Sequence, residues 1–254
     1  MFAMLTLFNP IEYVFYITFL IGMLSLLLAS IQAPLLLKYG KTLPENASRG
    51  QDKNLWVLFQ HFTVPKSWFS HFYVYSGFLS CVNMTLLHFK TLSLLMALHS
   101  MRRLYETIYV NKSKPSARIH VSHYLVGFWF YSAVNYAIYT SRPDTWSPPL
   151  IRSFAMLLFA IASWDQYKSH LHLSQLRKYT LPTKGLFRLV ASAHYLDEIL
   201  LYSALALYSR STKLLVCLLW VISNLSVSAI ETRQWYLRKF PQSTPKFAII
   251  PYIL

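Results

Sequence analysis

The stretch from Pro10 to Leu37, PIEYVFYITFLIGMLSLLLASIQAPLLL, is almost entirely apolar and carries a single charged residue, Glu12. As a helix it is long enough to cross a hydrocarbon core of roughly 30 Å, for which about 20 apolar residues suffice. Residues 1–10 contain no basic residue, and the apolar run is longer than the core of a cleaved signal sequence. We therefore expect this stretch to remain in the protein as a membrane anchor.

Further apolar stretches follow along the rest of the chain. They lie near residues 68–89, 91–110, 119–140, 150–167, 190–208 and 214–230. Most have the length of a membrane-crossing helix, and no internal repeat divides them. The sequence thus predicts an all-α polytopic membrane protein, a single domain over residues 1–254 built as a bundle of about seven transmembrane helices.

The composition also favours lipid as the solvent. Apolar residues make up 55% of the chain and charged residues 13%, which is too apolar for an ordinary soluble domain. An aromatic content of 17% and only six glycines exclude a disordered or collagen-like protein. Both cysteines, Cys81 and Cys217, lie within apolar runs, so we expect neither a disulfide framework nor a cysteine-ligated zinc site.

The basic residues are unevenly distributed between the loops. The formal net charge is +15, from 24 Lys and Arg against nine Asp and Glu. If the N-terminus faces away from the cytosol, 17 of the cations lie on one side of the membrane and five on the other. The positive-inside rule places the richer side, which includes the C-terminus, in the cytosol. The basic character is then explained without nucleic acid, which is not an expected partner.

Several kinds of catalytic site find no support in the sequence. The glycines are too far apart for a phosphate-binding Gly-rich loop, which excludes a soluble-type Rossmann domain. His120 with His123, and His170 with His172, are not followed by a second histidine-rich box, so no metal is expected. No Gly-x-Ser-x-Gly turn is present, and a serine hydrolase is unsupported.

Ionisable groups lie inside the third predicted span. Residues 97–109 have the sequence ALHSMRRLYETIY, in which His99 and Arg103, and likewise Arg102 and Glu106, are four residues apart and share a helix face. Ionisable groups cost about 2.5 to 3.5 kcal/mol each in a spanning helix, so they usually face a cavity or one another. The alternative for Arg102 is a purely internal ion pair with Glu106.

The second predicted span begins with a polar aromatic segment. Residues 64–73, VPKSWFSHFY, place His71 and Tyr73 a turn or two inside the cytosolic edge. These side chains are candidate hydrogen-bond donors to a substrate. Their neighbours Trp68 and Phe72 equally fit an aromatic belt at the membrane surface.

A cation-rich stretch leaves the fifth predicted span at residues 164–179, WDQYKSHLHLSQLRKY. We expect it to form an amphipathic helix. The cations that could surround an anionic ligand such as a phosphate are Lys168, Arg177, Lys178, Lys184 and Arg188. The alternative is a helix that lies on an anionic membrane surface. Asp197 and Glu198 add a local acidic excess at the head of the sixth span.

In these segments the sequence resembles the steroid 5α-reductase family, and more closely its polyprenol reductase branch. The segments that carry the resemblance are Tyr39–Thr42, Val64–Lys66, Phe69–Tyr73, Leu98–Ser100, Arg102–Glu106, Ser122–Tyr124, Asp165–Lys168, Leu176–Lys178, Pro182, Leu186–Phe187, Tyr195–Glu198 and Ile250–Tyr252. Each segment alone is a weak signal, whereas their order and spacing together are specific.

The resemblance implies a seven-helix membrane reductase that adds a hydride from NADPH, bound from the cytosolic side, to a double bond conjugated to a carbonyl. It also implies a cofactor-binding half at about residues 160–254. The residues implied to contact NADPH are Gln166, Ser169, His170, Arg177, Tyr179, Pro182, Gly185, Phe187, His194, Glu198 and Tyr236, with Lys168 as an added cation. Steroid-acting members have Asn, Asp and Asn where this chain has Gln166, His170 and His194. They also polarise the steroid ketone with a Gln-Glu pair in the second span and a Tyr in the third span. In the corresponding regions this chain has His71 and Ser100. This difference argues against a steroid substrate.

The chemistry of hydride transfer refines the expected substrate. Polyprenol, an allylic alcohol, has no group to accept negative charge, whereas the aldehyde polyprenal becomes an enolate that a donor can stabilise. We therefore expect reduction of the α-isoprene double bond of polyprenal to dolichal, on the polyprenol-to-dolichol route that supports protein N-glycosylation in the endoplasmic reticulum. Polarisation of the carbonyl oxygen is assigned to His71, with Tyr73 or Tyr105 assisting, and orientation of that face to His99 and Arg103.

Other functions stay open at this point. They are a 3-oxo-5α-steroid 4-dehydrogenase, an isoprenoid-related membrane methyltransferase, and a non-enzymatic membrane lipid-binding protein. A non-enzymatic lipid-binding protein would not need the membrane-embedded residues His99, Arg103 and Glu106 on the same cytosolic face as an Arg-rich helix. The expected partners are a long-chain polyprenoid and membrane lipid, and the sequence identifies no protein partner.

Overall fold

The computed structural model describes residues 9–32, 62–87, 90–111, 117–142, 147–177 and 180–254. Within these ranges the chain is mainly α-helical, with one pair of three-residue strands. The long helices are α1 (Pro10–Gln32), α2 (Phe69–Leu86), α3 (Thr91–Tyr105), α4 (Val121–Tyr139), α5 (Pro149–Gln175), α6 (Ala193–Ser209) and α7 (Thr212–Lys239). The prediction of an all-α fold is confirmed.

Each of these helices coincides with a predicted apolar stretch, but several ends differ. α3 gives way at Glu106–Val110 to a π-helical turn, where a continuous helix to residue 110 was predicted. α5 and α7 continue well past the predicted ends at residues 167 and 230. Neither Gly nor Pro interrupts these two helices, and hydropathy marks the edge of the apolar stretch rather than the end of the helix. Residues 33–37 of the first stretch lie outside the described residues.

A small antiparallel sheet joins the starts of α2 and α4. Strand β1 (Thr63–Pro65) pairs with strand β2 (Arg118–His120). Directly after β1, the N–H of Lys66 donates to the carbonyl oxygen of Ala117 at 2.8 Å. The sequence did not predict these strands, because three residues are too few for an alternating pattern to be recognised. The sheet fixes the starts of α2 and α4 next to each other.

α2 packs against α3 and α4 through small and polar residues. Ser100 of α3 donates from Oγ to Oγ of Ser76 in α2 at 2.8 Å, and both residues are fully buried. A Cβ atom added to Gly127 of α4 would lie 2.7 Å from the ring of Phe72 in α2. Small residues and interhelical hydrogen bonds are the features that bring helices together in lipid.

The segment after α7 returns to the start of α6. The N–H groups of Ala191 and Ser192 donate to the carbonyl oxygens of Phe247 and Ala248 at 2.9 and 3.1 Å. The side chain of Ile249 is fully buried in the same region. This segment therefore covers the end of α6 that carries the acidic pair noted in the sequence.

Among the described helices, two pass a test of length and hydropathy for crossing a membrane, namely Pro10–Ile31 of α1 and Thr212–Lys239. Large apolar side chains are also exposed along α1 and α5. They include Ile17, Leu20, Ile21, Leu24, Leu28, Phe154, Leu157 and Ile161. Contiguous exposed apolar surface of this kind marks contact with a partner or a membrane.

Candidate active site

Four ionisable residues of α3 and the turn after it face the interior. Their spacing of three and four residues places His99, Arg102, Arg103 and Glu106 on one side of the helix. Glu106 is fully buried, and its two carboxylate oxygens accept from different guanidinium groups. Oε1 accepts from Arg102, and Oε2 accepts from Nη1 of Arg103 at 2.5 Å. The Arg102–Glu106 ion pair considered from the sequence is present, and it extends to Arg103.

α5 brings His170 and Gln166 to the same carboxylate. Nδ1 of His170 lies 2.7 Å from Oε2 of Glu106 and 3.0 Å from Nη1 of Arg103. Because a guanidinium group cannot accept a hydrogen bond, a proton on this Nδ1 is donated to Glu106. Oε1 of Gln166 accepts from Nη2 of Arg102 at 2.6 Å. Glu106 is thus surrounded by three donors, which offsets much of the cost of burying its charge.

Glu198 of α6 supplies a second, largely buried carboxylate. Nε2 of Gln166 donates to Oε2 of Glu198 at 2.5 Å and to the carbonyl oxygen of His194 at 3.0 Å. Nε2 of His99 lies 3.5 Å from Oε1 of Glu198. The Gln166 oxygen faces Arg102 and its amide group faces Glu198, so this side chain links α3 to α6 in one orientation.

α2 contributes Tyr73 to the same group of residues. Its hydroxyl accepts from Nη2 of Arg103 at 2.8 Å, and the guanidinium carbon lies 5.0 Å from the centre of the tyrosine ring. This is a cation–π distance. Since Arg103 occupies a lone pair of the phenol oxygen, the hydroxyl hydrogen is left to be donated elsewhere. The neighbouring positive charge makes the phenol a stronger donor.

Together these residues form what we call the ionic cluster. Its members are Tyr73, His99, Arg102, Arg103, Glu106, Gln166, His170 and Glu198. The two guanidinium groups are balanced by two carboxylates. Charge that develops on a bound molecule is stabilised strongly by fixed donors in a site that excludes water. The cluster is therefore suited to stabilising an anion that forms during a reaction.

The predicted catalytic residues are only partly brought together. Tyr73, His99 and Arg103 lie in the ionic cluster. His71 is exposed on another face of α2, where its Nδ1 lies 2.8 Å from the hydroxyl of Tyr124. Tyr105 is also exposed and has no described contact with the cluster. The assignment of oxygen polarisation to His71, with Tyr73 or Tyr105 assisting, stays a prediction, and of these three side chains only Tyr73 lies in the ionic cluster.

The predicted cofactor contacts on α5 and α6 divide into two groups. Gln166, His170 and Glu198 belong to the ionic cluster, and His194 reaches it through its backbone carbonyl. Ser169 instead lies beside a second buried acid, with its Oγ 3.5 Å from Oδ2 of Asp197.

The predicted contacts in the C-terminal part lie around the turn before α6 and at the end of α7. The ring of Phe187 is buried, with its centre 6.0 Å from that of His194. Pro182 is buried, whereas Gly185 is exposed and has a positive φ of 59°, which a glycine adopts without strain. Tyr236 is buried near the end of α7. Tyr179 lies outside the described residues.

Four of the five predicted cations are exposed on the second half of α5 and in the segment between α5 and α6. They are Lys168, Arg177, Lys184 and Arg188, and Lys178 lies outside the described residues. The ammonium group of Lys168 lies 5.2 Å from the centre of the Trp164 ring. His172 lies on α5 after residue 167, the predicted end of the fifth span. Its pKa is lowered mainly by burial and secondly by the charge of Lys184. Its Nε2 accepts a hydrogen bond from the N–H of Thr183 at 3.3 Å. These cations are accessible to an anionic ligand such as a phosphate.

Two buried phenols near the ionic cluster were missed in the sequence. The ring of Tyr131 in α4 lies 5.9 Å from that of Tyr73, and the ring of Tyr202 in α6 lies 6.2 Å from that of His99. Both side chains are buried. Tyr202 could have been found from its spacing, because it follows Glu198 by four residues and so shares a helix face with it.

Comparison with known proteins places the chain among reductases. Residues 115–254 match the family model described as 3-oxo-5-alpha-steroid 4-dehydrogenase. The chain is 42% identical over 246 residues to the polyprenal reductase of Saccharomyces cerevisiae, covering 95% of each protein. It is 29% identical to the polyprenal reductase of Drosophila melanogaster over 75% of this chain and 77% of that protein. It is 28% identical to polyprenal reductase 1 of Arabidopsis thaliana over 92% of this chain and 94% of that protein.

Proposed function

The chain belongs to the 3-oxo-5-alpha-steroid 4-dehydrogenase family, and we propose that it reduces the α-isoprene double bond of polyprenal to dolichal with NADPH. This reaction lies on the route to the dolichol that supports protein N-glycosylation. The observation that carries the proposal is the Tyr73 hydroxyl, which Arg103 holds inside the ionic cluster. Similarity to polyprenal reductases of yeast, fly and plant supports the choice of substrate.

The reaction requires a group that accepts negative charge. When a hydride adds to C3 of the unsaturated aldehyde, the electrons of the double bond move toward the carbonyl oxygen and an enolate forms. Donors aimed at an oxygen that gains charge in the transition state can lower the barrier by several kcal/mol, roughly 2.7 to 4 for one donor. An alcohol at the same position offers no such oxygen, so the aldehyde is the substrate that this cluster suits.

Tyr73 is the residue best placed to donate to that oxygen. Its hydroxyl accepts from Arg103 and retains its own hydrogen. Arg103 is in turn held by Glu106, which His170 also contacts. The donor is thus preorganised by a chain of buried charged hydrogen bonds, and it need not reorient as charge develops. His99 and Glu198 are the members of the cluster that lie toward α6, and they orient the substrate's carbonyl end.

The chain offers suitable groups for both ends of a nicotinamide dinucleotide. NADPH supplies the hydride when it is bound. The exposed cations Arg177, Lys184 and Arg188 suit its phosphates. Farther in, Phe187 and Tyr236 provide buried rings, and the ionic cluster provides paired donors and acceptors. Phe187 and Arg188 are neighbours in the turn that precedes α6, so a buried ring and an exposed cation lie next to each other there.

The proposed setting is the endoplasmic reticulum membrane, crossed by the seven helices with the C-terminus in the cytosol. The excess of basic loops on one side and the exposed apolar faces of α1 and α5 support this arrangement. A long isoprenoid could then remain in lipid while its aldehyde enters the ionic cluster. The water-soluble cofactor would approach from the side that carries the exposed cations.

The class of enzyme can be tested by ligand protection of the purified protein. We expect NADPH to raise its melting temperature and S-adenosylmethionine to leave it unchanged, because a ligand stabilises only the folded state that binds it. Protection by S-adenosylmethionine without protection by NADPH would instead indicate a methyltransferase. If neither NADPH nor S-adenosylmethionine raises the melting temperature, but the protein binds polyprenoid, it is a lipid-binding protein.

A further inference from the structure

The hydroxyl of Tyr202 is buried and, among the described residues, has no hydrogen-bond partner. Only 2% of the residue is exposed. Most buried polar groups in proteins are paired, and leaving one unpaired costs about 1 to 3 kcal/mol. In a helix surrounded by lipid, water is not at hand to satisfy the group. An isolated phenol in this position is therefore a candidate contact for a bound molecule.

Tyr202 borders the ionic cluster on the side away from the start of α6. It follows Glu198 by one helical turn, which is about 6 Å farther along the helix axis. Its ring lies edge-on to His99, with ring centres 6.2 Å apart. His99 and Glu198 are themselves 3.5 Å apart at Nε2 and Oε1. Tyr202 thus lies at the inner border of the cluster, opposite the exposed cations.

Two further phenols complete this border. The rings of Tyr73 and Tyr131 are 5.9 Å apart, and Phe130, the residue before Tyr131, packs against Tyr202 with ring centres 5.5 Å apart. Tyr73 comes from α2 and Tyr202 from α6, so phenols of two different helices lie at this border.

We propose that Tyr202 is a second hydrogen-bond donor to the carbonyl oxygen of the substrate, acting together with Tyr73. This inference rests on the proposed reduction of polyprenal. A hydride from NADPH adds with its electron pair to C3, the C2–C3 π electrons form a C1–C2 double bond, and the carbonyl π electrons become a lone pair on oxygen. The two phenols stabilise that oxygen. A proton from water then adds to C2, the aldehyde re-forms, and NADP⁺ remains.

The role assigned to Tyr202 differs from a packing role in a measurable way. Its ring packs against Phe130 at 5.5 Å between centres, and a phenylalanine would keep this contact. Tyr202→Phe removes only a hydroxyl that the described residues leave unpaired. The unliganded protein should therefore keep or slightly raise its melting temperature. Turnover of polyprenal should fall about 100-fold, the usual effect of losing one oxyanion donor.

The experiment compares wild type, Tyr202→Phe and Tyr208→Phe, all purified in the same lipid or detergent. Tyr208 is another buried tyrosine of α6, nearer the end of the helix farthest from the cluster, and its substitution is the matched control. For each protein we would measure kcat with polyprenal, the melting temperature, and the shift of that temperature with NADPH. We expect only Tyr202→Phe to lose turnover, with the NADPH shift retained.

Two results would overturn the inference alone. One is wild-type turnover in Tyr202→Phe. The other is a loss of turnover that accompanies a matching loss of melting temperature or of NADPH protection, which indicates a structural role. If the wild-type protein itself does not reduce polyprenal, the proposed function fails, and the role of Tyr202 fails with it. The wild-type measurement therefore separates the two failures.

Discussion

Nη2 of Arg103 donates to the Tyr73 hydroxyl at 2.8 Å, and the guanidinium group lies 5.0 Å from the centre of the same ring. One cation thus contacts both the oxygen and the face of a buried phenol. Arg103 is itself fixed by Glu106, so the phenol oxygen is held in place while its hydrogen remains available. Through this pair, a charged residue of α3 positions the hydroxyl that is proposed to donate to the substrate.

Replacing Tyr73 with phenylalanine tests the donor directly. We expect Tyr73→Phe to lower turnover of polyprenal by about 100-fold, because a preorganised donor to the forming oxyanion is lost. NADPH affinity, measured by thermal protection, should stay the same. The matched control is Tyr75→Phe, since the Tyr75 hydroxyl contacts Ser132 at 2.8 Å, away from the cluster. Unchanged turnover in Tyr73→Phe would exclude Tyr73 from the mechanism.

His71 should prove dispensable for turnover, in contrast to the assignment made from the sequence. Its imidazole is exposed and pairs with Tyr124 instead of the ionic cluster. We expect His71→Ala to keep turnover close to that of wild type, because it removes no donor to the forming oxyanion. The measurement is kcat with polyprenal at saturating NADPH. A decrease in kcat as large as that expected for Tyr73→Phe would show that His71 takes part in the reaction.

The exposed cations should distinguish NADPH from NADH. We expect Arg177→Ala to raise the concentration of NADPH needed for half-maximal rate by about tenfold, since a charge-assisted contact to phosphate is lost. The requirement for NADH should barely change if Arg177 serves the additional 2′-phosphate. Arg238→Ala, which removes an exposed cation from the end of α7, is the control. If NADPH and NADH both bind more weakly by the same factor, Arg177 contacts the pyrophosphate that the two nucleotides share. If neither binds more weakly, Arg177 is a membrane-surface residue.

Gly127 should be required for close packing of α4 on α2. A Cβ atom at Gly127 would lie 2.7 Å from the Phe72 ring, whereas at Gly77 the nearest atom would be 3.8 Å away. We expect Gly127→Ala to destabilise the protein by about 1 to 3 kcal/mol through overpacking. Gly77→Ala should be neutral or stabilising, because alanine favours helix over glycine by about 1 kcal/mol. Thermal unfolding of both variants in one detergent provides the comparison, and equal melting temperatures would contradict the packing described here.

The helices and one face of the site could be predicted from the sequence because both depend on local spacing. Apolar stretches located each long helix, and the four-residue spacing placed His99 with Arg103, and Arg102 with Glu106, on shared helix faces. The resemblance to a reductase family then indicated Gln166, His170 and Glu198 on the helices that complete the cluster.

The remaining parts depend on tertiary packing, which local spacing does not specify. His71 and Tyr73 are two residues apart, so they point about 200° from each other around α2, and only one can face α3. The choice is made by the packing of α2 on α3 and α4. The π-helical turn at Glu106 and the position of Tyr202 beside His99 likewise follow from contacts between helices. No pattern within a single segment indicates the π-helical turn. The spacing of Tyr202 from Glu198 indicates a shared helix face, but it does not indicate the contact of Tyr202 with His99.

The most direct test of the account supplies the purified protein with NADPH and, separately, polyprenal, polyprenol or a 3-keto-4-ene steroid. Mass spectrometry then detects saturation of the α-isoprene unit or of the steroid ring. We expect saturation of polyprenal and none of polyprenol or steroid, because only the aldehyde places a charge-accepting oxygen at the end of a lipid-soluble chain. Efficient reduction of the steroid with polyprenal untouched would contradict the substrate, and direct reduction of polyprenol would contradict the enolate mechanism.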